Sequence, residues 1–331
     1  MVLAIQHRAD FSNNPRHWVH FEMRVGKLVR TRGVLGVVVF TYFAYVCERS
    51  WLQVWSPGSY HEVPCDAKPV NELQKSNSNK KVLAYSLFAP LSEAEKSDFP
   101  FFLDGMRQNA KDARLYYPDW LVRVYVIGLS SEQESTLRKE PNLEIIRCRS
   151  SSLLTASSSR KMMTRFLAMD DPLVEYAIFR DADSRLSPRE LFAVNEWLAS
   201  GYGFHAMRDH EQHSAPVLGG MFGTRRGVLA SKVWSLMQQA ISENPDGIQG
   251  VRGEDQSFLK AYMWEKVRGS CVAHDVDLDR CNRFGSIECR DFPMHGRSED
   301  SNFFVGAMFK HDAHSSTSAH YTCQVSCTIA P

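Results

Sequence analysis

Two aspartates one residue apart, Asp181 and Asp183, close the apolar run Tyr176-Ala177-Ile178-Phe179-Arg180. Such a run reads as a buried strand of a largely parallel sheet, and open α/β sheets keep their ligands at the carboxyl ends of their strands. Residues i and i+2 of a strand share a face, which puts the two carboxylates side by side. Carboxylates are the wrong partners for a bare diphosphate. They are hard oxygen donors, however, and a divalent cation between them can be shared with a ligand's phosphates. The competing reading is a solvated surface turn, against which stands the apolarity of the run before it.

Other residues have types and spacings that matter. Asp255 lies three and four residues before Phe258 and Leu259 in an expected helix over Glu254 to Val267, so its carboxylate is on the core side at the helix start. There it either complements the helix dipole or, beside Gln256, lines a pocket. Gly219-Gly220 interrupts the apolar run Val217 to Phe222, as happens where backbone passes close to a neighbouring element or a ligand. Zinc sets can be assembled from Cys271, His274, Cys281 and Cys289, or from His320, Cys323 and Cys327, but neither has a familiar spacing. The late clustering of the cysteines suits a few disulfides in a secretory lumen.

The elements that must position these groups can be read from pattern. Ser187-Pro188-Arg189-Glu190 combines an N-cap serine, proline at the first helical position and glutamate three residues after the cap. The helix it opens runs to about Ser200, with Leu191, Val194 and Leu198 on one stripe and Gly201 as a stop. Upstream, strands over Val82 to Phe88, Leu121 to Ile127 and Leu143 to Cys148 alternate with helices over Phe101 to Ala113 and Ser157 to Asp170. Downstream come strands at Phe204 to Met207 and Val217 to Phe222 and helices at Leu229 to Ile241 and Glu254 to Val267. The alternation predicts an α/β fold with a doubly wound, mostly parallel, Rossmann-like sheet.

Lys+Arg 39 against Asp+Glu 38 in 331 residues leaves the chain near neutrality, which argues against nucleic acid as a partner. Residues 1–32 are polar and basic and read as a cytoplasmic tail. Gly33 to Cys47 is free of charge; fifteen residues fall short of the ~20 that span a bilayer, but apolar flanks can lengthen the run. Positive charge before it predicts a type II signal anchor in the Golgi or endoplasmic reticulum membrane, with everything after it lumenal. Residues 48–81 read as a flexible stem, 82–307 as the folded domain and 308–331 as a Ser-, Thr-, His- and Cys-rich tail of no recognised pattern.

The ordered set of Arg165 on a preceding helix, Asp181-Ala182-Asp183 after a strand, Gly219-Gly220-Met221 and Asp255-Gln256 at a helix start resembles the GT-A fold glycosyltransferases, the nucleotide-diphospho-sugar transferase superfamily. Phe179-Arg180-Asp181-Ala182-Asp183-Ser184-Arg185, Met207-Arg208-Asp209-His210 with His213, and Phe303-Phe304-Val305-Gly306 are similar to a group within it known mainly from genome sequence. The resemblance covers Val82 to Gly306. It implies a UDP- or GDP-sugar donor whose diphosphate binds Asp181 and Asp183 through Mn2+ or Mg2+, and a glycan, protein or lipid acceptor. It further implies that Arg165 and Arg185 support the phosphates or the metal site, that Asp209 bonds donor-sugar hydroxyls and that Gly220 lies under the sugar. Asp255 and Gln256 fall beside the anomeric carbon, with Asp255 as base in an inverting enzyme. A late histidine often completes the metal shell of this family, here His274 in preference to His295.

Arg180 departs from the family, many of whose members carry an apolar or aromatic residue there. A haloacid-dehalogenase-like phosphatase also opens on Asp-x-Asp after a strand, but Arg180 interrupts the apolar approach and Arg185 stands where Thr or Val belongs. A non-catalytic relative that binds a sugar nucleotide, and a nucleotidyltransferase, are the remaining alternatives; no Gly-rich, Lys-containing loop follows Val82 to Phe88 to support the latter.

Overall fold

The computed structural model describes residues 63–66, 79–90, 93–149, 158–245, 253–293 and 304–308, all within the compact unit His61–Pro331. Eight strands form one sheet: β1 (Lys80–Phe88), β2 (Leu121–Ile127), β3 (Leu143–Arg147), β4 (Val174–Arg180), β5 (Phe204–Arg208), β6 (Met221–Arg225), β7 (Cys271–Asp275) and β8 (Glu288–Asp291). Their spatial order is β3-β2-β1-β4-β6-β5-β7-β8. β6 alone runs antiparallel to its neighbours, β4 and β5. The carboxyl ends of β1, β4, β5 and β7 and the amino end of β6 therefore share one edge, and the chemistry-bearing residues converge there.

The central strands β1, β2 and β4 are largely apolar on both faces, because helices cover both. One face carries α1 (Glu93–Tyr116) and α4 (Pro188–Ser200), with α2 (Ser131–Leu137) between β2 and β3. α1 buries Met106, Ala110 and Ala113, spaced for a single stripe. The other face is covered by α3 (Ser158–Met162) and the 3₁₀ segment Met163–Asp170 that continues it, by α5 (Val233–Glu243), and by α6 (Glu254–Phe258). α6 runs on through a π turn, Leu259–Met263, into α7 (Trp264–Val267), and α8 (Leu278–Phe284) precedes β8. Phe166, Phe179 and Phe222 make the centre of this second layer, Phe179 and Phe222 stacked at 4.3 Å.

α4 begins at the expected cap. The Ser187 side chain accepts from the Glu190 amide, Pro188 opens the helix, and Gly201 ends it at φ 77°, a value that favours glycine.

Several expectations are corrected. The single-pass anchor, and the Golgi or endoplasmic reticulum membrane address inferred from it, is not supported: among the described residues no helix is long and apolar enough to cross a membrane. α1 has the length, at 24 residues, but charges recur along it from Asp98 to Arg114. The run at 33–47 itself, with the tail 1–32 and residues 309–331, lies outside the described residues. Of the stretch read as a stem, residues 63–66 and 79–81 are described. Cys65 is disulfide-bonded to Cys148 beyond β3, Asp66 donates to the Arg147 carbonyl at 2.8 Å, and β1 starts at Lys80. The zinc set with Cys281 and Cys289 does not form, because these two cysteines are joined to each other and have no thiolate to offer.

The Cys65–Cys148 bond closes a loop with a sequence separation of 83. Loop-closure entropy assigns such a bond about 4 kcal/mol, which in a domain of this size corresponds to a midpoint change on the order of 10 °C. Cys65→Ser, or reduction by a phosphine, is expected to lower the thermal midpoint by that order, as read by circular dichroism; an unchanged midpoint would show that the segment adds nothing to the fold.

Candidate active site

The acidic pair sits one step beyond where strand geometry ends. β4 stops at Arg180, and Asp181 to Ser184 form a turn in which both the Ser184 amide, at 3.3 Å, and its hydroxyl, at 3.0 Å, donate to the Asp181 carbonyl. A turn, not strand alternation, thus brings the two carboxylates together. Asp181 has 35% of its side chain exposed. The Asp183 carboxyl is pushed up to about 6 by burial and then by the charge of Asp181, with Arg165 and Arg185 pulling the other way.

Arg165 lies on the 3₁₀ segment, its amide bonded to the Ser86 hydroxyl at 3.0 Å near the end of β1. Its guanidinium is 2% exposed. Nη1 donates to the Arg180 carbonyl at 3.0 Å and to Asp181 Oδ1 at 2.5 Å, and Nη2 donates to Asp255 Oδ2 at 3.2 Å. One buried cation therefore ties the acidic turn to the first turn of α6. Burial pushes the Asp255 carboxyl up; Arg165 opposes the shift and Asp181 adds to it. Gln256, the next residue, is exposed.

The glycine pair is explained by close approach. A Cβ on Gly219 would lie 2.2 Å from Asp255 Oδ2, and one on Gly220 would lie 2.0 Å from Asp181 Oδ2. Any side chain there would displace a carboxylate. Behind the turn, a Cβ on Gly105 of α1 would lie 2.4 Å from the Ala182 carbonyl, and Asn109 donates to the Ser184 carbonyl at 2.9 Å. Arg185 folds back over its own turn, Nη1 donating to the Ala182 and Ser184 carbonyls at 3.1 and 3.0 Å.

Two expected site residues are used otherwise. Asp209 follows β5 at the same edge, but both its oxygens accept from Arg189 of α4, at 2.6 and 2.7 Å, and Oδ2 also accepts from the Val305 amide at 3.0 Å. A carboxylate so engaged is fixed in place by α4 and by residue 305. His274 is fully buried in β7; its Nδ1 shares a hydrogen bond with His205 Nε2 at 2.8 Å, and its Nε2 bonds Glu196 at 2.9 Å. With both nitrogens taken, it is not a third ligand for the acidic pair. His295 lies outside the described residues. Val305 belongs to a short strap, residues 304–308, that reaches from Asp209 to an antiparallel bridge between Met308 and Ser184.

Burial pushes both His205 and His274 down, with Glu196 partly opposing the shift for His274. Groups whose folded values lie below the unfolded value near 6.5 leave stability complete above that pH and erode it as the pH falls towards the folded values. Acid unfolding is therefore expected to set in below about pH 6.5. His205→Gln should flatten that limb of a midpoint-against-pH curve; a limb of unchanged slope would place the sensitivity elsewhere.

Among the described residues no group of three or more His, Cys, Asp and Glu could hold a metal ion. The donor set still fits a hard cation. Mg2+ and Mn2+ accept one or two carboxylates and complete their shells with water and phosphate oxygen, and the repulsion that raises Asp183 is what a cation between the two acids would relieve.

No known family model matches the chain, and no curated protein is similar to it. Among solved structures it is similar to a Desulfovibrio desulfuricans G20 protein described as a nucleotide-diphospho-sugar transferase, at TM-score 0.38 and 9% identity over 60% of this chain and 80% of that one. It is also similar to the Pyrobaculum calidifontis mannosyltransferase PcManGT, in complex with GDP-Man and Mn2+, at TM-score 0.36 and 13% identity over 80% and 70%. A third match is a 4-diphosphocytidyl-2C-methyl-D-erythritol synthase from Anaerococcus prevotii, at TM-score 0.32 and 7% identity over 57% and 84%. At these scores the functional reading rests on the site itself.

Proposed function

We propose that the chain is a glycosyltransferase that takes its sugar from a UDP- or GDP-sugar and uses Mn2+ or Mg2+. One observation carries the reading: Arg165 joins Asp181 to Asp255 over a glycine floor at the carboxyl edge of the sheet. A cation-binding turn for a diphosphate and a buried acid for an acceptor are thereby held at a fixed spacing.

Asp181 and Asp183 would hold the cation, which when bound supplies Lewis-acid neutralisation of the leaving diphosphate. Arg185, beside Asp183 and packed over Phe101, would contact a phosphate oxygen with its guanidinium. Gly219 and Gly220 leave the room that the Asp255 and Asp181 carboxylates occupy, and Gly220 would lie under the donor sugar. Asp255 accepts the proton of the acceptor hydroxyl on a carboxylate oxygen in an inverting reaction; its raised affinity for protons, from burial, suits a base. In a retaining reaction the same carboxylate would instead stabilise a cationic sugar. The role of Gln256 is to face the acceptor side from the exposed surface of α6.

The test is thermal unfolding of the protein with UDP- and GDP-sugars, each with and without Mn2+. A native-state ligand at a hundred times its Kd adds about 2.7 kcal/mol, a midpoint rise of roughly 5 to 10 °C here. A rise that needs both the metal and one nucleotide supports the reading; no rise with any pair on folded protein overturns it. Asp255→Asn is expected to keep donor affinity within a few fold and to slow transfer by roughly 10² to 10⁴, the usual worth of a general base. Equal loss of binding and transfer would put Asp255 in donor binding instead.

A further inference from the structure

Beneath the acidic turn, on the face covered by α1 and α4, lies a charge pair that the site described above does not use. Arg180 is the last residue of β4 and is 0% exposed, as is Glu190 in the first turn of α4. Arg180 Nη2 lies 3.2 Å from Glu190 Oε2. Nη1 donates to the Gly220 carbonyl at 2.8 Å, and Nη2 reaches the Arg185 carbonyl at 3.4 Å. Thus one guanidinium holds the two backbone segments that flank the acidic pair: the glycine floor on one side and the exit of the turn on the other.

Beside the pair, Arg180 Nε and the hydroxyls of Tyr85 and Tyr117 have no hydrogen-bond partner among the described residues, and the Glu190 carboxylate has only its ion pair with Arg180. A buried charge pair set among unpaired polar groups costs stability relative to apolar residues of the same size. A fold keeps such an arrangement for registry more readily than for stability.

We propose that Arg180, charge-balanced by Glu190, is a positioning residue that sets the spacing between the acidic turn and the Gly219–Gly220 floor, and so tunes how tightly Asp181 and Asp183 hold a divalent cation. The inference rests on the cation-binding part of the proposed function. Replacing groups that orient a metal's ligands typically weakens binding by about 10- to 100-fold.

The experiment compares wild type, Arg180→Met, the double variant Arg180→Met with Glu190→Met, and a control, Arg123→Met. Arg123 is a buried arginine paired, away from the site, with the partly exposed Glu144 and Asp171. Three readouts are taken on the full chain: thermal midpoint, Mn2+ affinity by electron paramagnetic resonance without any sugar nucleotide, and hydrogen exchange across residues 181–187 and 219–221. Arg180→Met alone should lower the midpoint, since Glu190 is left unpaired. The double variant should recover the midpoint yet bind Mn2+ about 10- to 100-fold more weakly and lose exchange protection in both segments. Arg123→Met should lower the midpoint with neither effect. Recovery of Mn2+ affinity along with the midpoint in the double variant overturns the proposal, as does equal loss in the control. If wild type binds no Mn2+, the cation reading fails, and the exchange arm still decides whether Arg180 fixes the two segments.

Discussion

Asp183→Asn is expected to abolish the Mn2+-dependent midpoint rise with a sugar nucleotide while leaving the metal-free protein as stable as wild type or more so. The carboxyl of Asp183 stands well above the ordinary aspartate value because burial and the neighbouring Asp181 disfavour its charge. In the wild type that penalty is complete above about pH 6 and vanishes below about pH 4, where the group is protonated whether folded or not. The asparagine removes it, so the gain, on the order of 1 to 2 kcal/mol after allowance for partial exposure, should be present at pH 7 and absent at pH 4. Unfolding curves at the two pH values, with and without Mn2+ and nucleotide, measure both parts. Retention of the metal-dependent rise would falsify the assignment of the pair as cation ligands.

Arg165→Met should have the largest effect on the fold itself. It strips one buried guanidinium from the Arg180 carbonyl, Asp181 and Asp255 together, and Asp255 has 8% of its side chain exposed. An uncompensated buried charge costs about 3 to 5 kcal/mol, a midpoint loss of roughly 10 °C or more. The loss should shrink as the pH falls and Asp255 takes up a proton. Adding Asp255→Asn should return part of it, because the neutral amide needs no counter-charge. Two losses that simply add would mean that the two residues do not interact, against the geometry.

How much of this was legible in the sequence depends on whether the determinant was local. The cap, proline and glycine that bound α4 are all within the segment they organise, and β2 is a run whose apolar pattern fixes both its ends. Asp255 was placed on the core side by spacing alone and is buried there. The strand expected from Val217 begins only at Met221, since the glycine pair belongs to the approach and not to the ladder. The helix expected from Ser157 to Asp170 tightens into a 3₁₀ segment after Met162, a change that side-chain periodicity does not signal. β7, which carries His274 and Asp275, was not among the strands expected. Both are buried with partners on other elements, the remote Glu196 and His205 for the one, the remote Arg208 and the nearby Arg280 for the other. The same remoteness hid the engagement of Asp209 by Arg189 and the grip of Arg180, which was visible only as a charge in an unexpected place.

The bridge between Ser184 and Met308 has a consequence for biosynthesis. The strands β1 to β7 and their helices can assemble as the chain emerges from the ribosome, since their pairings use residues up to Asp275. The acidic turn gains its bridge to Met308 only when that residue arrives, and contacts between positions so far apart form late and slowly. A nascent chain would then have its sheet before the bridge between Ser184 and Met308 is made.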